Sequence, residues 1–308
     1  MKNQKKLILT YSPDYNSGKA EVHLDAADFL KSPEDYNHNL AKLAAGILAT
    51  ANDHIGQLGT ARYLAPALDR DLQFKDISIF SYPKCRYRSD NVRLEKLGRR
   101  SVDFAFSISH VPMQIKGESF ELILLTLRGT ESASESLITD FMGTVGKAKT
   151  IDWCGYPAYT AFTLYAKKVL CGLQQYLHHN RAKFKYPKIK FFILGHSLGG
   201  AAAQLVAAKL TDRGKEVFGY TFASLNALTI SGTKAYPNIW NFYNYYDTYG
   251  PRGRGAFGYR PAMGGKTIYH KLGHVILFKR NYNKIFHTWK WSKNHVMAGY
   301  CEWLGVTL

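Results

Sequence analysis

KFFILGHSLGGAAAQLVAAKL, residues 190–210, decides the fold. Phe191 to Leu194 form a short apolar run without alternation, the pattern of a strand buried on both faces. From Gly200 onward the chain is rich in Ala, the strongest helix former. Between the two lies Gly195-His196-Ser197-Leu198-Gly199, which fits G-x-S-x-G. A strand-to-helix turn this tight puts its central residue in a strained backbone conformation. Gly195 and Gly199 remove the side chains that would collide where the turn closes. Ser197 Oγ then projects from the carboxyl end of a sheet, where open α/β sheets bind their ligands. The helix start behind it offers unpaired N–H groups and positive potential.

Working outward, the pattern repeats. On the amino side, a long helical periodicity over 160–180 runs through Phe162, Tyr165, Val169, Leu173 and Leu177. Segments 76–82, 102–108 and 119–127 read as strands, and the last two have the spacing of a hairpin. Leu40, Leu43, Ala44, Ile47, Leu48 and Ala51 share one helical face, so 38–53 is expected to be a helix, with Ser32-Pro33 as a start signal upstream. On the carboxyl side, EVFGYTF (216–222), IWNFYNYY (239–246) and HVILFK (274–279) read as strands, and VMAGYCEWL (296–304) as a final helix. Strands alternating with helices over this length imply an α/β fold: a mostly parallel central sheet with helices on both faces. No linker-like segment divides the 308 residues. A single domain over 1–308 is expected, with 1–100 decorating a core at 101–308.

The elbow resembles that of the α/β hydrolases, and with it comes a chemical expectation. A nucleophilic serine needs a base, and the base needs an acid to orient it. In such folds the chain order is serine, acid, histidine. Four acids follow Ser197: Asp212, Glu216, Asp247 and Glu302. Glu302 lies beyond every histidine. Asp212 ends the helix that starts at the elbow, roughly 20 Å from Ser197 at the helical rise. Glu216 precedes a strand and so lies at the opposite edge of the sheet. Asp247 follows a strand at its carboxyl end and is taken as the acid. The base is one of His270, His274, His287 and His295. His274 opens a strand, whereas His270 and His287 lie in irregular basic stretches. His295, in a short loop before the last helix, is favoured, with His287 as runner-up. His196, inside the elbow, has no freedom to serve its neighbour.

These residues resemble the class 3 lipases, the fungal-lipase-like branch of the α/β hydrolases, over roughly 100–308. The resemblance rests on GHSLGG at 195–200, Asp247 at a strand end, His295 followed by Tyr300, and LRGT at 127–130 after the strand ELILLT. The helix with LAKLAAGILATAN is similar to that of the bacterial lipase-like subgroup. The resemblance implies hydrolysis of a lipid carboxylic ester, of lipase or phospholipase A type, without metal or cofactor. It also implies an oxyanion hole formed by Thr130 and the backbone N–H of Leu198. Two features depart from the family pattern. Leu137 or Ile138 stands where a Trp is common before Asp140, and WCGYPAY lacks the usual His ahead of the long helix. Both bear on the lid, expected over 141–156, and on the acyl pocket. A thioesterase or small-ester esterase would use the same triad.

The net charge is +18. Between Thr248 and Cys301 there is no Asp or Glu but ten Lys or Arg, from Arg252 to Lys293, interleaved with aromatics such as Phe257, Tyr259, Trp289 and Trp291. This stretch joins Asp247 to His295, so part of it is expected to rim the site. Cations with aromatics suit an anionic membrane surface. They suit single-stranded nucleic acid as well. A polyanion binder on a hydrolase scaffold is therefore the rival from another class, although nucleic acid is not the favoured partner. The basic run Arg181–Lys190 enters the nucleophile strand from its amino end and is expected to lie away from substrate. GRGAFG (253–258) fits G-x-G-x-x-G but lacks the helix and the later acid of a dinucleotide site. The four cysteines lack metal or disulfide-framework spacing. No signal-peptide pattern and no apolar span of membrane length is seen, so a soluble protein is expected, cytoplasmic or exported by a route without a Sec signal.

Overall fold

A computed structural model describes residues 4–11, 18–51, 64–86, 101–115, 117–129, 150–228, 235–247, 271–280 and 294–306. Its centre is a sheet of seven strands: β3 (Lys75–Arg86), β4 (Ser101–Ile115), β5 (Glu118–Leu127), β8 (Ile189–His196), β9 (Glu216–Phe222), β10 (Ile239–Asn244) and β11 (His274–Phe278). In space they run β11-β10-β9-β8-β5-β4-β3. The pairings from β5 to β11 are parallel, while β3–β4 and β4–β5 are antiparallel. The hairpin expected from 102–108 and 119–127 is thus found, but its first strand is longer than read, and it closes with Ile115 opposite Glu118.

The central strands are apolar throughout because both faces are covered. Successive side chains point to opposite faces. Phe192, Leu194, Phe218, Tyr220, Phe222 and Phe242 belong to one core, shared with α1 (His38–Ala51) and α5 (Met297–Leu304). Phe191, Ile193, Val217 and Ile239 belong to the other, shared with α3 (Thr160–Asn180) and α4 (Ser197–Asp212). A short helix, α2 (Ala65–Arg70), precedes β3. The edges differ from the centre. On β11, His274 and Leu277 are exposed, and β3 breaks register against β4 between Lys75 and Ser78 and again between Tyr82 and Cys85. Such bulges blunt an edge strand.

The N-terminal residues pack closely onto this frame. β1 (Gln4–Tyr11) and β2 (Gly18–Asp25) form a separate antiparallel ribbon, which meets the C-terminal segment through the Glu21 N–H and the Val306 carbonyl, 2.9 Å apart. Phe29 meets Phe192 and Phe218 edge-on. The start signal for α1 is Asn37 rather than Ser32-Pro33. Asn37 Oδ1 accepts the N–H groups of Asn39 and Leu40 at 3.0 and 3.2 Å, as a helix cap does. Ser32 Oγ accepts from the Glu34 N–H, a local turn. Of the expected lid, residues 150–156 belong to a hairpin, β6 (Thr150–Trp153) and β7 (Tyr156–Tyr159), while 141–149 lie outside the described residues. The hairpin is fastened to α4 by Trp153, whose Nε1–H donates to the Leu205 carbonyl at 2.8 Å. No helix among the described residues is long and apolar enough to cross a membrane.

Candidate active site

β8 ends at His196 and α4 begins at the next residue, so Ser197 takes the whole change of direction. Its φ is 53°, in the left-handed region that L side chains seldom occupy. The turn closes so tightly that a Cβ on Gly195 would lie 2.4 Å from the Gly199 carbonyl oxygen. A Cβ on Gly199 would lie 2.4 Å from that of Leu127. Both glycines are therefore required by backbone contact. A mostly parallel sheet with such an elbow on a central strand is the α/β-hydrolase fold.

Three side chains that are far apart in sequence meet at this end of the sheet. His295 Nε2 lies 3.0 Å from Ser197 Oγ. His295 Nδ1 lies 2.9 and 3.0 Å from the two oxygens of Asp247. A carboxylate can only accept here, so Nδ1 carries the proton and Nε2 presents its lone pair to the serine hydroxyl. All three are buried: Ser197 is 3% exposed, and His295 and Asp247 1% each. Water therefore competes little for these bonds, and each counts for more than it would on a surface.

Several residues hold the constellation through contacts that the sequence reading did not describe. Asn244 closes β10 and is fully buried. Its carbonyl accepts the Asp247 N–H at 3.0 Å, which forms the turn carrying the acid. Its side-chain amide donates to the Arg280 carbonyl at 2.8 Å and to Asn294 Oδ1 at 3.3 Å, next to the base. Tyr300, on α5, accepts the Asn244 N–H at 3.2 Å. Burial, reinforced by the charge of Asp247, pushes its phenol well above the ordinary value. His196 sits inside the elbow, and its Nε2–H donates to the His295 carbonyl at 2.9 Å. It supports the loop of the base rather than replacing it. No local pattern announces these contacts, and only the Tyr after His295 was visible as part of a resemblance.

On the donor side, the Leu198 N–H opens the first turn of α4, beside Ser197. Thr130 lies outside the described residues. The chain just before it, at Gly129, runs against the elbow: a Cβ there would stand 3.3 Å from Ser197 Cβ. Tyr165 on α3 fixes this approach, donating its hydroxyl to the Ala105 and Arg128 carbonyls, at 2.7 and 3.2 Å.

The other candidates are engaged elsewhere. Asp212 accepts from the Tyr236 hydroxyl at 2.8 Å, and Glu216 pairs with Lys190 at 2.8 Å at the amino edge of the sheet. Glu302 pairs with Arg280, and His274 stacks on Trp240 with ring centroids 4.4 Å apart. His270, His287 and the G-x-G-x-x-G segment lie outside the described residues, as does most of the basic stretch. One member of that stretch requires correction: Lys271 is fully buried and is not a rim cation. Lys279 Nζ lies 5.2 Å from the centroid of the Tyr245 ring. Among the described residues no His, Cys, Asp and Glu side chains cluster so as to hold a metal ion.

Residues 124–239 match the family model described as Lipase (class 3). The match runs from within β5 to the first residue of β10. It includes the elbow, while Asp247 and His295 lie beyond it. Among solved structures, the chain is similar to a Rhizomucor miehei lipase propeptide complex, at 15% identity over 89% of this chain and 80% of that one, TM-score 0.44. It is similar also to the Lip2 lipase of Yarrowia lipolytica, at 13% identity over 76% of each chain, TM-score 0.36. At these scores the fold assignment rests on the strand order and the elbow, not on the likenesses. No curated protein matches the chain in sequence. The segment that resembles the class 3 lipases is thus the one that spans the strand, turn and helix around Ser197.

Proposed function

We propose that Ser197, His295 and Asp247 are the catalytic triad of a lipid esterase working through an acyl-enzyme. The match of residues 124–239 to the Lipase (class 3) model supports a lipase-type ester hydrolase. The observation that carries the finer reading is the 3.0 Å approach of His295 Nε2 to Ser197 Oγ, with Asp247 on the opposite ring nitrogen. His295 takes the hydroxyl proton as Oγ attacks the ester carbonyl, and Asp247 stabilises the imidazolium. The Leu198 N–H, with Thr130, receives the negative charge on the carbonyl oxygen. His295 then protonates the departing alcohol, and water, deprotonated by the same imidazole, releases the acid.

The substrate is a membrane lipid ester, with anionic phospholipid preferred. Support comes from charge. Apart from the buried Lys271 and from Arg280, which pairs with Glu302, eight cations and no acid lie between Thr248 and Cys301, in the span joining the acid to the base. Each cation near an anionic headgroup layer contributes about 1 kcal/mol of attraction. Hydrolysis of anionic and zwitterionic vesicles by wild type and Ser197→Ala tests both parts. Fatty-acid release by wild type alone, faster on anionic vesicles, is expected. Turnover confined to soluble short-chain esters or thioesters would overturn the lipid assignment.

A further inference from the structure

One histidine of the elbow is built into the site without belonging to the triad. His196 is the last residue of β8, and side chains alternate along a strand. It therefore points with Phe192 and Leu194 to the face shared with α5, the helix that follows His295 in the chain. The residue is 8% exposed. Its Nε2 lies 2.9 Å from the His295 carbonyl oxygen. A carbonyl only accepts, so Nε2 carries a proton and donates it. The two imidazole rings also pack together, 5.1 Å between centroids and tilted by 49°. The end of the RGT approach meets the same residue: a Cβ on Gly129 would stand 3.2 Å from His196 Nδ1 and 3.1 Å from the His196 carbonyl oxygen. His196 thus touches both the chain that carries the base and the chain that reaches the nucleophile from β5.

We propose that His196 is a positioning residue of this site: its ring ties the main chain of the base to the nucleophile's own neighbour, so that the approach of His295 Nε2 to Ser197 Oγ is set through a single residue. The inference rests on the reading of His295 as the base. Residue 295 is held at three points. Its Nδ1 meets Asp247, its Nε2 meets Ser197 Oγ, and its carbonyl meets His196. The first two orient the imidazole, and the third fixes the backbone from which the imidazole projects. A buried carbonyl needs a donor, and the elbow supplies one. A phenylalanine at 196 would fill the same space without that donor. A shift of about 1 Å in a reacting group can cost about a hundredfold in rate, so the tie is expected to show in turnover and not in substrate binding.

Two variants and one resonance test the proposal. His196→Phe keeps a ring and removes the donor. On a soluble ester its kcat is expected to fall by about ten- to a hundredfold, with KM within about twofold of wild type. Fluorophosphonate labelling of Ser197 is expected to slow in parallel. His196→Gln carries an amide N–H that reaches the place of Nε2, and it is expected to recover most of the loss. Wild-type kcat in folded His196→Phe overturns the proposal, as does a change confined to KM or a loss of kcat that His196→Gln does not relieve. If His196→Phe does not fold, the 15N spectrum of histidine-labelled wild type decides. Nε2 of His196, assigned with His196→Gln, is expected to carry a proton, since the bond that a ring nitrogen makes sets its protonation. A bare lone pair at that nitrogen overturns the proposal. A wild type that turns over no ester while Nε2 of His196 carries its proton would defeat the hydrolase reading alone.

Discussion

Ser197 sits at φ 53° because the backbone around it leaves no alternative, and two glycines keep it there. Gly199→Ala forces a Cβ to within 2.4 Å of the Leu127 carbonyl oxygen. The expected loss is about 1–3 kcal/mol, the range for overpacked sites, read as a lower urea midpoint, together with slower labelling of Ser197. An unchanged midpoint would mean the turn is looser than the contacts indicate. Asn244→Ala strips donors from the Arg280 carbonyl and from Asn294, for an expected cost of about 1–3 kcal/mol. Because the Asn244 side chain braces the residues next to Asp247 and His295, kcat is expected to fall while KM stays close to wild type. A change confined to KM would remove it from the support of the triad. At this scale the sequence was legible where the signal is local or ordered. G-x-S-x-G is contiguous, and the order rule left one acid at the carboxyl end of a strand. The contacts of Asn244 with Arg280 and Asn294, and of Tyr300 with Asn244, were not legible, since these partners are distant in the chain. Lys271 was counted as a surface charge because composition carries no information on burial.

Among the elements, continuous apolar strands were the easiest to recognise. EVFGYTF was read as 216–222, and β9 has those bounds. IWNFYNYY was read too long: β10 stops at Asn244, since Asp247 bonds back to its carbonyl and makes Tyr245-Tyr246 a turn. The β6–β7 hairpin was missed, being short and only partly buried, with its anchor on α4 through Trp153. The cap of α1 was misplaced because Ser-Pro is a start signal by composition, whereas Asn37 is held in place by Asp28, 3.0 Å away. Asn37→Ala is expected to cost about 1–2 kcal/mol through the lost cap, checked by thermal unfolding. A cost near zero would place the helix start elsewhere.

At the amino end of the sheet, His110 on β4 joins Glu121 on β5 at 3.0 Å and Asp76 on β3 at 3.2 Å. Burial opposes its charge, but the hydrogen bonds to the two carboxylates prevail and its pKa is raised. A hydrogen bond from Lys183 lowers that of Asp76. The imidazolium contribution is complete below its unfolded value of about 6.5 and is lost as pH rises through the folded value. The Asp76 contribution is present above about pH 4 and is lost as pH falls. The destabilisation caused by His110→Gln, read from urea midpoints, is therefore expected to be larger near about pH 5.5 than near about pH 8.5. An equal difference at both would show that His110 is not charged in the fold.

At the largest scale, the described residues form a sheet between two helical layers, with Ser197, His295 and Asp247 gathered at one end and the His110 and Lys190 ties at the other. Lys190, Glu118 and Glu216 lock the amino edge, at 3.0 and 2.8 Å, in keeping with a basic run that enters there away from substrate. The layer order was legible because alternation of strand and helix admits few topologies. The substrate is less legible, since it depends on side chains along the span between Thr248 and Asn294. If that span meets an anionic surface, vesicle hydrolysis is expected to fall steeply as salt is raised from low to physiological strength, where screening shortens to about 8 Å. Hydrolysis of a soluble ester is expected to change little. Equal salt responses would locate the cations away from the interface.

The most direct measurement is intact-mass and peptide analysis after reaction of the folded protein with a fluorophosphonate. A single adduct on Ser197 is expected, with labelling slowed by several orders of magnitude in His295→Ala, since nucleophile and base act as one unit. An adduct on another residue, no adduct at all, or labelling of Ser197 at an undiminished rate without His295 would contradict the triad.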